Sequence, residues 1–375
     1  MNSELNEKTE RAVRMLEAEN LGGVLLSTQH NFAWLTCGRS NAIDMTRENG
    51  AGWLFVGRNG RRGLIANNIE ISRLLTEEVS ANDFEPVEVT WQSERNFETI
   101  LNAARSLAGD GEIGCDIGFP ETRWIEPSIA ACRFELTAPE IERYRELGRD
   151  ASEAIDNSIS RAAPGQTEKE IARIVRDQLA LSDIFAAVTL VAGDDRIREY
   201  RHPVPTSSVW KKTLLIVVCA RRNGLIASLS RMICEGEVPA ELQRRTEACA
   251  SVNAALYAAT IDGAIGAKLY EVAAKAYDAR GFADEINKHH QGGACGYRTR
   301  DWVAHPESED RVRRGQAFAW NPSITGTKTE ETGILTDAGL ELITPSKRFP
   351  TISTRANGRE YLSPGILSLS RGVSG

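Results

Sequence analysis

The sequence is poor in histidine and has no C-x-x-C spacing, no long apolar run and no block of like charge. Each absence narrows the reading. With only five histidines in 375 residues, every one can be weighed singly. The seven cysteines, Cys37, Cys115, Cys132, Cys219, Cys234, Cys249 and Cys295, are scattered and odd in number. That argues against a zinc or disulfide framework and favours reduced thiols in a cytoplasm. No apolar segment reaches the roughly 20 residues of a membrane span. The start, MNSELNEKTERAVRMLEAEN, is acidic and helix-periodic, without the basic head and apolar centre of a signal peptide. A net charge of −7 with no polybasic stretch weighs against nucleic acid or an anionic membrane as partner. There is no phosphate loop, dinucleotide fingerprint or nucleophile elbow.

What is present is ordinary globular material, 41% apolar and 26% charged, in a chain long enough for two cored domains. Val24-Leu25-Leu26, Trp53 to Val56, Gly63 to Ala66 and Phe84 to Val89 read as strands. Ile69 to Val79 and Phe97 to Leu107 read as helices between them, which predicts an α/β domain over 1–136. Pro139 marks a boundary, and a helical pattern runs on through Ile159. Thr167 is an expected N-cap whose capping box is closed by Glu170. Residues 137–350 form the second expected domain. Residues 351–375, rich in Ser, Gly and Arg, are expected as a surface tail.

The most informative stretch is Lys212 to Ile233. Two apolar runs flank Asn223-Gly224, the dipeptide that supplies the two positive φ angles of a type I′ turn, so a buried β-hairpin is predicted. Its wording, with Ala220, Asn223, Gly224, Ser230 and Arg231, resembles the central hairpin of the pita-bread superfamily: methionine aminopeptidase, aminopeptidase P, prolidase and creatinase. In metal-dependent members that hairpin carries two aspartates, and here Val217 and Ser228 stand in their places. Further resemblances lie in Ser27 to Gly38, in Pro139-Glu140-Ile141, in Pro164-Gly165-Gln166-Thr167-Glu168, in His289-His290-Gln291-Gly292-Gly293, in Asn321-Pro322 and in Thr329-Glu330-Glu331, the last similar to the family's R-x-E-(D/N). The resemblance implies an α+β chain. Its C-terminal part would be a pita-bread fold, a pseudo-twofold curved antiparallel sheet covered by helices, behind an N-terminal creatinase-like α/β domain.

It also implies a ligand set of four carboxylates and one histidine, which here reads Val217, Ser228, His290, Asn321 and Glu330. One carboxylate and one imidazole cannot offset the hydration that a pair of divalent ions must lose. No metal or other cofactor is expected. His202, in Arg201-His202-Pro203, is similar to the histidine thought to shuttle a proton in creatinase. His290 is selected by the H-x-x-G spacing, with His289 as its exposed neighbour. Glu330 is expected in an apolar cavity with raised proton affinity, able to orient or deprotonate water. The glycines at 292 and 293 are expected to let backbone approach the substrate. Asn321, Ser228 and Glu331 are substrate-binding candidates, Ser228 being as readily a space-filler. Arg298 or Arg300 can clamp a carboxylate, or Arg300 can pair with Asp301 at the surface. His305 fits either a second family histidine or a plain loop, and His30 reads as structural.

The expectation is a metal-independent, creatinase-like hydrolase of a C–N bond in a small amide, amidine or guanidino substrate. It would be cytoplasmic and, as the family resemblance implies, homodimeric. Two alternatives stay open: an Xaa-Pro peptidase with one residual metal, and a non-catalytic binding module.

Overall fold

The computed structural model describes residues 3–108 and 110–369. The chain divides into two units, Met1–Pro139 and Glu140–Gly375.

The first unit holds a six-stranded mixed sheet of β1 (Gly23–Thr28), β2 (Asn49–Gly57), β3 (Arg62–Asn67), β4 (Glu85–Val89), β5 (Ile113–Cys115) and β6 (Arg123–Trp124), in the order β4-β3-β2-β1-β5-β6. The helix Phe97–Ala108 lays Ile100, Leu101, Ala104 and Leu107 on the core with Leu25, Phe55 and Ile65, at the spacing of one helical face. The helix expected over 69–79 is shorter. Asn67 Oδ1 accepts the N–H groups of Ile69 and Glu70, so helical structure starts only at Ile71 and continues as a π turn, Leu74–Glu78. His30 is buried beside Thr28 and Glu126, a structural place.

The long helix Ala138–Ile159 begins at the boundary and carries the chain into the second unit, where the helix Glu168–Ala180 follows. Thr167 caps the latter, and Glu170 returns the bond, as the sequence predicts. Then come β7 (Phe185–Gly193), β8 (Thr213–Arg222) and β9 (Leu225–Glu235). The turn between β8 and β9 has φ of 50° at Asn223 and 79° at Gly224, the conformation that selects this dipeptide. β9 is buried at ten consecutive residues, Leu225 to Cys234, so it lacks the in-out alternation of a half-solvated strand, and the polar Ser228, Ser230 and Arg231 within it are buried with the rest.

A second sheet is built from β10 (Gly292–Cys295), β11 (Trp302–Val303), β12 (Ala317–Trp320), β15 (Glu331–Thr336) and β16 (Gly339–Leu342), ordered β11-β10-β12-β15-β16. A small ribbon of β13 (Ser323–Ile324) and β14 (Thr327–Lys328) lies between β12 and β15 in the chain. The helix Ala240–Ala259 packs against β13, β14 and the hairpin described next.

The expected tail is instead ordered over its described part. β17 (Thr351–Ala356) and β18 (Arg359–Pro364) form a hairpin, and β19 (Ile366–Leu369) runs parallel to β9. Ile366 is 5% exposed and joins the core with Met232 and Leu215. The polar alternation of β17 and β18 hid them, because one face of that ribbon is wet. Residues 370–375 of that expectation lie outside the described residues. Among the described residues, no helix is long and apolar enough to cross a membrane.

Candidate active site

Register places the hairpin side chains. Cys219 of β8 faces Ser228 of β9, and Val217 faces Ser230, so these four share one side of the sheet. Val217 sits in an apolar cluster with Leu190 and Leu215. Ser228 is fully buried, and its hydroxyl donates to Cys219 Sγ at 3.4 Å, which is the space-filling reading. The segment before β15 docks onto β9. Ser230 N–H donates to the Glu330 carbonyl at 3.1 Å, and Ser228 N–H to Thr332 Oγ1 at 2.8 Å. That docking carries Lys328, Glu330 and Glu331 to the hairpin.

Glu330 is 2% exposed and is held by two cations: Arg300 Nη2 lies 3.0 Å from Oε1 and Lys328 Nζ 3.2 Å from Oε2. Burial raises its proton affinity, but Lys328 and Arg300 together outweigh burial and bring the carboxyl below its ordinary value. This corrects the expected proton-hungry acid: Glu330 is a firmly ionised anchor. The surface pairing open to Arg300 is likewise replaced by this inward contact. Arg298 is exposed in the turn between β10 and β11.

Glu331 points away from Glu330 into the scaffold, where Arg231 Nη1 lies at 2.8 Å and the Thr344 hydroxyl donates to it. Burial pushes this carboxyl up to about 7 despite Arg231. Its carboxylate is thus taken up by scaffold groups and not offered to a substrate. Asn321 is buried, its N–H bonded to the Gln291 carbonyl at 3.0 Å, and its Oδ1 has no partner among the described residues.

Three imidazoles meet beside this clamp. His202 Nε2 and His289 Nε2 are 3.0 Å apart, and the His289 and His290 rings stack at 4.3 Å. His289 is therefore not the exposed neighbour; it is half-buried, and His290 is the more exposed of the two. Glu285 assembles the group. It receives Arg201, next to His202, and the N–H and hydroxyl of Thr325, and it belongs to the short helix Ala283–Asn287 just before His289. Gln291 adds a bond to the His289 carbonyl and is itself held by Tyr277 Oη at 2.6 Å. His305 lies exposed in a loop, its Nδ1 accepting the Glu307 N–H at 3.2 Å.

The glycines of this segment serve strand packing. A Cβ on Gly292, at φ 102°, would meet the Ala319 carbonyl oxygen at 2.1 Å, and one on Gly293 would meet that of Trp302 at 2.1 Å. The close approach they allow here is to β12 and β11.

Burial and the nearby cations depress all three imidazoles: His202 lies below its ordinary value, His290 at about 4 and His289 at about 2. At neutral pH the rings are uncharged. Protonation is thus harder in the folded state than in the unfolded chain, which binds protons from about pH 6.5 downward. Stability must fall as pH drops below that point. Urea midpoints are expected to be lower at pH 5 than at pH 7, with part of the difference removed in His290→Asn. Equal pH slopes in wild type and variant would contradict the depression. Because His290 is exposed, water weakens this effect.

The pair of divalent ions that the fold family implies does not fit these residues. Of the five ligand positions only Glu330 is acidic, and its two oxygens face Lys328 and Arg300. With neutral imidazoles, that trio carries a net charge of +1, from two cations and one anion, so it offers no free anionic oxygen to bridge a pair of divalent ions.

Lys328, Glu285 and Cys219 were not singled out in the sequence. Lys328 had a readable signal, since it stands where the R-x-E-(D/N) motif has its arginine. Cys219 had one as well, since a two-residue turn at Asn223-Gly224 sets it opposite Ser228, whereas Glu285 had none, because Arg201 and Thr325 lie 84 and 40 positions away.

A family model described as metallopeptidase family M24 matches residues 142–341. No curated protein matches the sequence. Among solved structures, the chain is similar to an Xaa-Pro dipeptidase from Bacillus anthracis, with 17% identity, 92% of this chain and 99% of that one covered, and a TM-score of 0.74. It is similar to the prolidase from Pyrococcus horikoshii OT3, with 17% identity, 92% and 99% covered, and a TM-score of 0.76. It is also similar to the N-terminal domain of the FACT complex subunit SPT16 from Cicer arietinum, with 10% identity, 91% and 96% covered, and a TM-score of 0.68. At these identities the likeness speaks for the fold, which is the expected α+β pita-bread architecture with an N-terminal domain.

Proposed function

From the premise that this chain belongs to metallopeptidase family M24, we propose that it is a hydrolase of a C–N bond in a small amide, amidine or guanidino substrate, working without the family's paired ions. The observation that carries this reading is Glu330 held between Lys328 and Arg300. The charge that a metal pair brings to a reacting carbonyl is here supplied by two fixed side chains.

The chemistry follows from the groups. Lys328 and Arg300, held by Glu330, stabilise negative charge developing on the carbonyl or amidine carbon's substituent, a role that a low-dielectric site makes effective. The neutral His202 takes a proton from attacking water and returns it to the leaving nitrogen, with His289 accepting or donating across their shared bond. His290 contacts the group being cleaved. Asn321 Oδ1, buried without a partner, accepts a substrate N–H. Amine leaves and the acid, amide or urea product forms from an amide, amidine or guanidino substrate in turn, so the step consumes one water and balances without an oxidant or reductant. The protein would act in the cytoplasm as a homodimer.

The test is amine release from protein dialysed against EDTA, over a panel of Xaa-Pro dipeptides, small amides, amidines and guanidino acids. Activity is expected to survive chelation. Complete loss that Mn²⁺ or Co²⁺ restores would overturn the metal-free reading. A folded protein that hydrolyses nothing would favour a binding role.

A further inference from the structure

Three histidines are more than the proposed relay uses. One hydrogen bond, His202 Nε2 to His289 Nε2 at 3.0 Å, suffices to pass a proton. Yet His290 is stacked on His289 at 4.3 Å with its ring 6.2 Å from that of His202. Each ring offers one nitrogen such that all three lie within 4.8 Å of one another. A tetrahedral zinc ion with Zn–N bonds of about 2.0–2.1 Å requires nitrogens about 3.3 Å apart. The closest pair is already inside that distance. The widest must close by about 1.5 Å, within reach of a χ rotation in the exposed His202 and His290. His289 Nδ1 is buried with no partner among the described residues, so no contact there stops it from carrying the proton and leaving Nε2 to the ion. Exposure of the two outer rings leaves a path for entry and a fourth position for water.

We propose that His202, His289 and His290 form a site for one borderline divalent cation of the zinc class, separate from the paired-ion centre of the family. Of that centre's five positions only His290 takes part, and no carboxylate does. Imidazole alone suits zinc, nickel or copper and disfavours magnesium, calcium or manganese. The charged groups facing the site are Lys328, Arg300 and Glu330, and both cations are drawn onto Glu330 at 3.2 and 3.0 Å. Resting on the hydrolase reading, one consequence follows. An ion bound to both His202 and His289 takes up the lone pairs that the relay needs, so zinc is an inhibitor here and not an activator.

The experiment is equilibrium dialysis of the metal-free full chain against Zn²⁺, with His289→Asn and His290→Asn in parallel and their folding checked by circular dichroism. One ion per wild-type chain, with affinity at least tenfold weaker in both variants, is the expected result. No binding by the wild type, or binding that neither variant weakens, would overturn the site. A preference for Mn²⁺ over Zn²⁺ would also overturn it. In the amine-release assay, one equivalent of Zn²⁺ should abolish the rate and EDTA restore it; an unchanged or raised rate sinks the inhibitory consequence. Should no substrate be hydrolysed, the hydrolase reading fails while dialysis still decides the site.

Discussion

His202→Ala is expected to lower kcat for amine release by about 10²- to 10⁴-fold, the usual contribution of a positioned acid–base group. His202 is exposed, and among the described residues its ring nitrogen bonds to His289 at 3.0 Å. Truncating an exposed side chain of this kind changes stability by no more than about 0.5 kcal/mol. The loss should therefore appear in kcat with the melting temperature unchanged. A tenfold or smaller decrease would remove His202 from the reaction. The arginine beside it supplies the control: Arg201 is tied to Glu285 and Thr325, so Arg201→Ala should lower kcat by letting His202 wander, and added imidazole should not rescue it.

The second large effect falls on stability. Arg231 is fully buried and spends its guanidinium on Glu331 at 2.8 Å, the Thr344 carbonyl at 2.6 Å, the Ser230 carbonyl at 2.8 Å and Ser152 Oγ at 3.2 Å. Its carbon plane lies over the Phe349 ring, 5.7 Å from the centroid. Arg231→Leu leaves Glu331 buried without its cation, next to the ionised Glu330. Breaking one side of a buried pair costs about 3–5 kcal/mol, a large share of a domain's margin. Urea unfolding should show a midpoint shift of that size at unchanged slope. Removing both partners, Arg231→Met with Glu331→Leu, should recover much of it. A single variant within about 1 kcal/mol, the centre of the distribution for ordinary substitutions, would mean that Glu331 is held protonated and does not depend on Arg231.

Local structure was the legible part of this chain. Asn223-Gly224 and the Thr167–Glu170 box each encode their geometry within four residues, and the long helix from Ala138 declares itself by periodicity. The site was legible in its roster and not in its electrostatics. His202, His290 and Glu330 do gather in the second unit, but the sign of the Glu330 shift was unreadable because Arg300 arrives from 30 positions away. The same distance problem hid the pairing of His202 with His289, 87 positions apart. Where a residue's partner is remote, spacing ranks candidates but cannot say which of two neighbours turns inward, and so the H-x-x-G spacing selects His290 where the fold turns His289 inward.

The last described strand has a bearing on how this molecule tolerates trimming. β19 pairs along Met232 to Glu235 of β9, and the Leu369 carbonyl accepts the Gly236 N–H at 2.9 Å. β9 has β8 on its other side. Without β19, the main chain of Met232 to Glu235 in β9 would lie unpaired at the sheet edge beside the apolar side chains of Met232 and Ile233, the kind of flat border along which chains stick to one another. The closing residues thus act as a gasket against self-association, and a version ending at Pro364 would be expected to lose solubility before it loses its fold.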